Sequence, residues 1–170
     1  LQSLEPTSDK QPTPEATNKN EPAEVKINWA DQLTPRGTET HLGDALQFLI
    51  NKERQATGLP SLRFDRALGE VAQFHASEMH TEHYLAEETL DGRTFKERVG
   101  ESEFVGEPLN QDIATGKRDS QRTFDFWMTS DAYRRHILST KATHIGVGHD
   151  WAIWVQIIGA STAENMPDAM

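Results

Sequence analysis

The chain has 170 residues, a formal net charge of −10 and a hydrophobic fraction of 35%. This length accommodates one domain with a substantial core and is too short for two ordinary domains. No block of five or more basic residues occurs, so the composition argues against a nucleic-acid or anionic-membrane partner. Cysteine is absent, which excludes disulfides, thiolate zinc sites and a cysteine nucleophile.

The first 36 residues differ from the rest of the chain in composition. Five of the eight prolines lie before Arg36, and Trp29 is the only aromatic residue in that region. We therefore expect a flexible linker over residues 1–36, a folded domain over residues 37–160 and a C-terminal tail over residues 161–170. The linker should add no stability, because only Trp29 could be buried there and ordering each residue costs roughly 1–2 kcal/mol of backbone entropy.

The location of the protein is a hypothesis drawn from this linker. No apolar run approaches the length of a membrane-spanning helix, and no secretory signal is present. The chain begins at Leu1, so a leader could precede it. A long tether of Thr, Pro, Glu and Asn suits an exported protein attached to a wall or membrane, although the same composition fits an inert cytosolic tail. We expect a monomer that is extracellular, periplasmic or tethered to the cell surface.

Two amphipathic helices are predicted at the start of the domain. The first has apolar residues at helical spacing, namely Leu42, Ala45, Leu46, Leu49 and Ile50. It should end near Gly58, which suits the left-handed position after a helix. Asp65 should cap a second helix whose inward stripe is Leu68, Val71, Ala72, His75, Ala76 and Met79. A lone histidine in such a stripe is more often a satisfied core residue than a ligand.

The middle of the chain predicts short elements. Asp91-Gly92 is a turn signal ahead of a short helix. Phe104 and Val105 alternate with polar neighbours, which predicts an early strand. Ser120 should cap the next helix, whose large apolar residues are Phe124, Trp127 and Met128.

The last part of the domain predicts a helix followed by two strands. Ser130 can cap the helix, and two apolar runs at 143–148 and 151–158 should be joined by a turn at His149-Asp150. Both faces of the second run are apolar except at Gln156. Such a strand needs cover on both sides, so the sheet should be a middle layer with helices above and below it.

Four motifs stand in order in this part of the chain. They are Trp127-Met128-Thr129-Ser130, Arg134 with Ile137-Leu138, Ile145-Gly146-Val147-Gly148, and Trp154-Val155-Gln156. Together they resemble the bacterial CAP (SCP) pattern W-M-x-S-P-G-H-R-x-N-I-L, I-G-V-G and Y-W-x-Q of the cysteine-rich secretory, antigen 5 and pathogenesis-related proteins. The resemblance, which runs from about Leu42 to Gly159, implies an α+β fold. We expect a three-layer α-β-α sandwich of three or four helices around a small, mainly antiparallel sheet, with Trp127 and Trp154 buried.

The resemblance also implies a central cleft, in which the family classically has two histidines and two acidic groups able to bind a divalent metal. The family motif A-x-x-H-A-x-x-M is matched around His75, which is the retained histidine. Gln111 replaces the glutamate of the family's G-E-N-I-A motif, and Asp112 replaces the asparagine that follows. Tyr133 stands at the second family histidine, and His136 stands at the asparagine three residues later.

Three further positions belong to this comparison. Ser130 lies at the other acidic position, as in many bacterial members, and an insertion could make Glu107 the glutamate equivalent. Arg98 matches the arginine of the family's P-D-G-x-S…R loop. The residues that the resemblance places in a ligand-binding cleft are therefore His75, Glu107, Gln111, Asp112, Ser130, Tyr133 and His136.

These replacements weaken a metal site. Gln111 removes a charge and a general base, and Tyr133 removes a ligand with a near-neutral pKa, since phenol titrates near ~10. Stable zinc binding needs three or four donors, so we expect no resident metal and at most weak zinc binding at His75. His80 and His83 form an i, i+3 pair that is more typical of a solvated helix end.

Three functions remain open. The first is a non-catalytic, exported module whose cleft or hydrophobic groove binds a small apolar ligand, a peptide or a surface partner. The second is a metal-dependent hydrolase or protease that uses His75 with Glu107 or His136. The third is a purely structural interaction domain, in which His75, Gln111 and Tyr133 form a buried polar network.

Overall fold

The computed structural model describes residues 40–161, with side chains from residue 42 onward. The linker predicted over residues 1–36 lies outside them, as does all of the predicted tail except Ser161. The described elements, in chain order, are α1 Thr40–Ala56, β1 Arg63–Phe64, α2 Arg66–Thr81, α3 Phe95–Gly100, β2 Glu107–Thr115, α4 Ser120–Thr129, α5 Asp131–Ile137, β3 His144–Asp150 and β4 Ile153–Ala160.

The four strands form one sheet with the order β1-β3-β4-β2. Both β3 and β2 pair antiparallel with β4, and only the two-residue β1 runs parallel to its neighbour. The predicted small, mainly antiparallel sheet is confirmed. Because β2 is an edge strand, its side chains meet loops and helices that lie beyond the sheet.

Helices cover both faces of the sheet. One face packs on α1, α4 and α5 through Leu46, Ile50, Trp127, Ile137, Trp154 and Ile158. The other face packs on α2 and α3 through Leu68, Ala72, Met79, Val99, Val155 and Ile157. Residues 152–159 are all buried, which confirms the two-sided burial expected of β4 and the three-layer sandwich. The described residues form five helices rather than the three or four expected.

Two glycines let α2 lie directly on β3. A Cβ at Gly146 would overlap the helix at residues 68–69, and a Cβ at Gly148 would overlap its backbone at residues 72–73. Only glycine permits this close approach of two backbones. The I-G-V-G motif therefore sets the distance between the strand and the helix that carries His75.

Arg54 is a buried charge that sequence patterns did not reveal. It lies in the last turn of α1, is 1% exposed, and has a pKa lowered by burial. Its guanidinium donates hydrogen bonds of 2.8 to 3.4 Å to the carbonyl oxygens of Pro60, Ile137, Ser139 and Ala142. Arg54 thereby ties α1 to the end of α5 and to the segment that leads into β3.

The predicted turn at His149-Asp150 is wrong. Both residues belong to β3, and the turn lies at residues 151–152, with Trp151 at a φ of 56°. Side-chain contacts hold this polar pair in the strand. Gln73 accepts from the backbone N–H of His149 at 3.0 Å, and the Asp150 carboxylate lies 2.9 Å from Nδ1 of His80.

Two other local predictions also need correction. Phe104 and Val105 are not in a strand, since β2 begins at Glu107, and the ring of Phe104 instead packs over Gly159. Asp119 rather than Ser120 caps α4, because the Asp119 carboxylate accepts from the backbone N–H of Arg122 at 2.8 Å.

The end of α1 and the start of α2 agree with the sequence predictions. Gly58 has a φ of 79°, and the Asp65 side chain accepts from the backbone N–H of Leu68 at 2.9 Å, which confirms the stop of α1 and the cap of α2. Ser130 occupies the cap position of α5, but its side chain makes no capping hydrogen bond.

Candidate functional site

His75 lies wholly buried on the sheet side of α2. Its Nε2 is 2.9 Å from the carbonyl oxygen of Ala86. Because a carbonyl oxygen only accepts, Nε2 must carry the proton and Nδ1 must present its lone pair. Nδ1 has no hydrogen-bond partner among the described residues, and the Glu78 carboxylate lies 4.0 Å away. The imidazole therefore donates to a loop through Nε2, and its unpaired lone pair on Nδ1 is buried.

Gln111 and Arg98 form the next contacts in the same layer. Arg98, on α3, is 4% exposed, and its Nη2 donates to Oε1 of Gln111 at 2.6 Å and to the carbonyl oxygen of Glu87 at 3.1 Å. Gln111 also donates from Nε2 to that same carbonyl at 3.0 Å. The amide of Gln111 is thus an acceptor for the arginine and a donor to the loop.

These contacts converge on one segment, residues 84–91, which we call the cleft loop. In this loop, the carbonyl of residue 86 accepts a hydrogen bond from His75. The carbonyl of residue 87 accepts from both Arg98 and Gln111. At the start of the loop, the Tyr84 hydroxyl donates to the Glu78 carboxylate. His75 and Gln111, two of the predicted cleft residues, therefore hold a backbone segment in place.

A second cluster lies on the other face of β2. Asp112 follows Gln111 in the strand, so the two side chains point to opposite faces. The Asp112 carboxylate is 1% exposed; it lies 2.7 Å from Nδ1 of His136 and accepts from Nε2 of Gln156 at 2.8 Å. Both Asp112 and His136 stand where the family pattern has asparagine, and the two replacements contact each other. His136 lies at the protein surface, with 32% of its side chain exposed.

Tyr133 lies one turn before His136 on α5. Burial raises the pKa of its hydroxyl, and the negative charges of Asp112 and Glu87 raise it further. Tyr133 therefore remains a protonated phenol at neutral pH. The sequence analysis did not single out Glu87. Its carboxylate acts electrostatically on Tyr133, and its backbone carbonyl accepts a hydrogen bond from Gln111.

Two predicted site residues lie apart from these clusters. Glu107 is exposed at the first residue of β2 and pairs with Ala160. It is four residues from Gln111, or roughly 13 Å along the strand. Ser130 lies between α4 and α5, where its carbonyl accepts from the backbone N–H of Arg134 at 2.9 Å. The structure thus divides the predicted cleft into a cluster around His75 and Gln111 and a cluster around Asp112, Tyr133 and His136.

The residues present do not fit the divalent metal that the family pattern implies. Nε2 of His75 donates to a carbonyl oxygen, which leaves the buried Nδ1 as its only possible ligand atom, and Oε1 of Gln111 accepts from the positively charged Arg98. Within residues 42–161, no group of three or more His, Asp or Glu side chains could hold a metal ion. A zinc site needs three or four such donors.

The site includes residues that sequence reasoning did not select. No motif specifies Glu78, Tyr84 or Glu87. Arg98 matches a family arginine, but the sequence does not indicate its partner. A signal for Glu78 was present, because it stands one turn after His75 on the same helix. No sequence signal marks the contacts of the cleft loop, because carbonyl oxygens belong to every residue.

Because His75 is buried, we expect the free energy of unfolding to depend on pH. Burial and the nearby charge of Arg98 lower the pKa of His75 from 6.5 to about 4. The unfolded chain therefore binds a proton that the folded chain excludes, so stability is fully present above pH 6.5 and is lost as the pH falls toward 4. The loss from His75 should total roughly 3 kcal/mol across this window. Urea unfolding of the wild type and of His75→Gln at pH 7, 6 and 5 would measure it. Equal pH dependence in the two proteins would contradict this role of His75.

A groove runs beside the first cluster, between α2 and the segment 93–103. It has a volume of about 460 Å³, which is within the range of ligand sites. Its α2 wall consists of Ala67, Glu70, Val71 and Phe74, and Phe74 is 55% exposed. Its other wall is polar and carries Arg93, Arg98, Glu101, Ser102 and Glu103. We call it the α2–α3 groove.

Comparison with known proteins adds a family match. A model of the cysteine-rich secretory protein family (CAP) matches residues 47–150. Two uncharacterised proteins of Bacillus subtilis are also similar. YkwD is 28% identical over 110 residues, which is 64% of this chain and 43% of YkwD. The membrane protein YlbC is 28% identical over 108 residues, which is 64% of this chain and 31% of YlbC. The chain spans less than half the length of these relatives.

Solved structures show the same fold. An extracellular protein of Bacillus anthracis that contains an SCP domain superposes with a TM-score of 0.68 and 20% identity, covering 75% of this chain and 45% of that protein. An outer surface protein of Borrelia burgdorferi superposes with a TM-score of 0.67 and 20% identity, covering 75% of this chain and 97% of that protein. Among the described residues of this chain, no helix has the length and apolar character needed to cross a membrane.

Proposed function

The chain belongs to the cysteine-rich secretory protein (CAP) family, and we propose that it acts outside the cell as a non-catalytic module that binds an apolar ligand or peptide segment in the α2–α3 groove. The observation that carries this proposal is the groove itself. It exposes Phe74 beside Ala67 and Val71, with Glu70 on the same wall and further polar and charged side chains on the opposite wall. Ligand sites combine apolar surface with polar groups that orient the ligand, and this groove offers both.

The clusters at the family cleft support binding rather than catalysis. A general base needs an available lone pair within reach of a substrate, but the one unpaired lone pair of His75, on Nδ1, is wholly buried. Gln111 is neutral and already bonded to Arg98. The cleft therefore serves as a rigid support beside the groove.

The hydrolase alternative would need His75 to work at one centre with Glu107 or His136, and Glu107 is exposed at the first residue of β2. Asp112 does orient the imidazole of His136, as a carboxylate orients histidine in many hydrolases. However, His75 belongs to the α2 face of the sheet, whereas His136 meets Asp112 on the α5 face. The geometry therefore favours the binding module.

A location outside the cell is supported by the relatives. One solved relative is described as an extracellular protein and another as an outer surface protein. The Pro-rich composition of residues 1–36 suits a tether for a domain displayed at a surface. The partner in this proposal is a peptide or small apolar molecule met in that environment.

Replacing Phe74 with alanine should remove groove binding. The probe is prodan, a neutral apolar fluorophore, titrated by its emission shift. Loss of the phenyl ring should weaken prodan binding by at least fivefold, because an apolar ring contributes about 1–2 kcal/mol when a ligand covers it.

The matched control is Phe48→Ala. Phe48 is 67% exposed on α1, on the opposite side of the sheet, so its removal should leave prodan affinity unchanged. Equal losses in the two variants, or no prodan binding by the wild type, would refute the groove as a ligand site.

A further inference from the structure

The C-terminal tail leaves the domain beside the α2–α3 groove. We propose that residues 162–170 occupy this groove through Met166 and Met170, so that the chain competes with external ligands for its own site. The inference rests on the proposed function, because it concerns the same groove.

Ser161, the last described residue, is held close to the groove by two hydrogen bonds. Its hydroxyl donates to the carbonyl oxygen of Val105 at 2.5 Å, and its backbone N–H donates to the hydroxyl of Thr143 at 2.8 Å. Val105 lies two residues after Glu103, which lines the groove. The carbonyl of Thr143 accepts from the backbone N–H of Arg63, three residues before α2 begins. The two hydrogen bonds therefore bring Ser161 near the ends of both groove walls.

The tail is long enough to follow the groove. On α2 the groove extends from Ala67 to Phe74, which is about 10 Å along a helix. Extended chain spans at most about 3.3–3.6 Å per residue, so Met166 reaches up to about 17 Å from Ser161 and Met170 up to about 30 Å. Both methionines are thus within reach of the groove.

The side chains of the tail suit the apolar part of the groove. Methionine is flexible enough to fill an irregular surface, and its sulfur packs favourably on an aromatic ring. Phe74 offers such a ring, 55% exposed, and Val71 lies about one turn before it on α2. The groove is lined by three glutamates and two arginines, so docking of the acidic tail depends on apolar contact rather than on charge.

The N-terminal linker is a less suitable occupant. It joins the domain at α1, which packs on the face of the sheet opposite to α2. A linker segment would have to pass around the sheet, whereas the tail begins beside the groove. A short tether gives an effective concentration in the millimolar range, so weak contacts from two methionines are sufficient for partial occupancy.

The test is a prodan titration of three proteins: the full chain, the chain without residues 162–170 and the chain without residues 1–36. Removal of the tail should tighten prodan binding at least threefold, which corresponds to a groove covered in about two-thirds of the molecules. Removal of the linker is the control and should leave the affinity unchanged. Equal affinities of the full chain and the chain without the tail would overturn the proposal. Tighter binding after removal of the linker alone would also overturn it, because the linker would then be the occupant.

A second measurement observes the tail without prodan. The chain has four methionines, and their methyl signals in an NMR spectrum can be assigned with Met166→Leu and Met170→Leu. The tail methyl signals should shift in Phe74→Ala but not in Phe48→Ala, because an aromatic ring displaces the resonance of a methyl group that packs on it. Identical tail signals in the wild type and Phe74→Ala would contradict docking. If prodan bound none of the three proteins, the proposed function would fail, and the methyl spectrum would still decide whether the tail covers the groove.

Discussion

Gly148→Ala is expected to lower the free energy of unfolding by about 3 kcal/mol or more, and it could prevent folding altogether. The added methyl group would overlap the α2 backbone at residues 72–73. A clash with backbone cannot be relieved by a side-chain rotation, so the helix and the strand must separate. Such separation would also displace His75 from the cleft loop. Urea unfolding followed by tryptophan fluorescence would measure the loss.

Gly100→Ala is the control for this substitution. Gly100 ends α3, and a Cβ there meets no atom within 4 Å. Alanine should therefore change stability by less than about 0.5 kcal/mol, and its higher helix propensity favours the folded state. If the two variants unfolded at the same urea concentration, the close approach of α2 to β3 would be wrong.

Trp154→Ala should cost roughly 3–5 kcal/mol. Trp154 is wholly buried on β4, its ring centroid lies 4.0 Å from that of His149, and its Nε1 donates to the carbonyl of Lys117 at 2.8 Å. Removal of the ring leaves a large cavity between the sheet and the α1–α4 layer. Trp154→Phe retains most of the apolar contact and loses one hydrogen bond, so it should cost about 1–2 kcal/mol.

The matched comparison is Trp151→Ala. Trp151 lies in the β3–β4 turn and is only half-buried, with its ring 5.7 Å from that of His80. Its removal should cost about 1 kcal/mol. Equal urea midpoints for Trp151→Ala and Trp154→Ala would mean that burial of β4 on both faces contributes little to stability.

The sequence predicted the layers of the fold because they depend on periodicity. The apolar residues of β4 alternate between two covered faces, and the apolar stripe of α2 places His75 inward, as found. The same reasoning placed the last turn two residues too early. A polar pair at 149–150 resembles a turn, but contacts from Gln73 and His80 hold it in the strand.

The site was less predictable because its contacts join distant elements. The family motifs pointed to His75, Gln111, Asp112, Tyr133 and His136, but they did not show that β2 separates these residues into two clusters. Side-chain alternation in β2 could have shown this for Gln111 and Asp112. No pattern could reveal that Arg98 binds Gln111, since the two are 13 residues apart and lie on different elements.

Titration calorimetry of zinc into the wild type, His75→Ala and His80→Ala tests the central claim that this cleft is a metal-free support. We expect the wild type to bind zinc no more tightly than a surface histidine pair would, and the affinity to be the same in His75→Ala. Submicromolar affinity that is lost in His75→Ala but kept in His80→Ala would contradict the claim, because it would show that His75 binds a metal in the cleft.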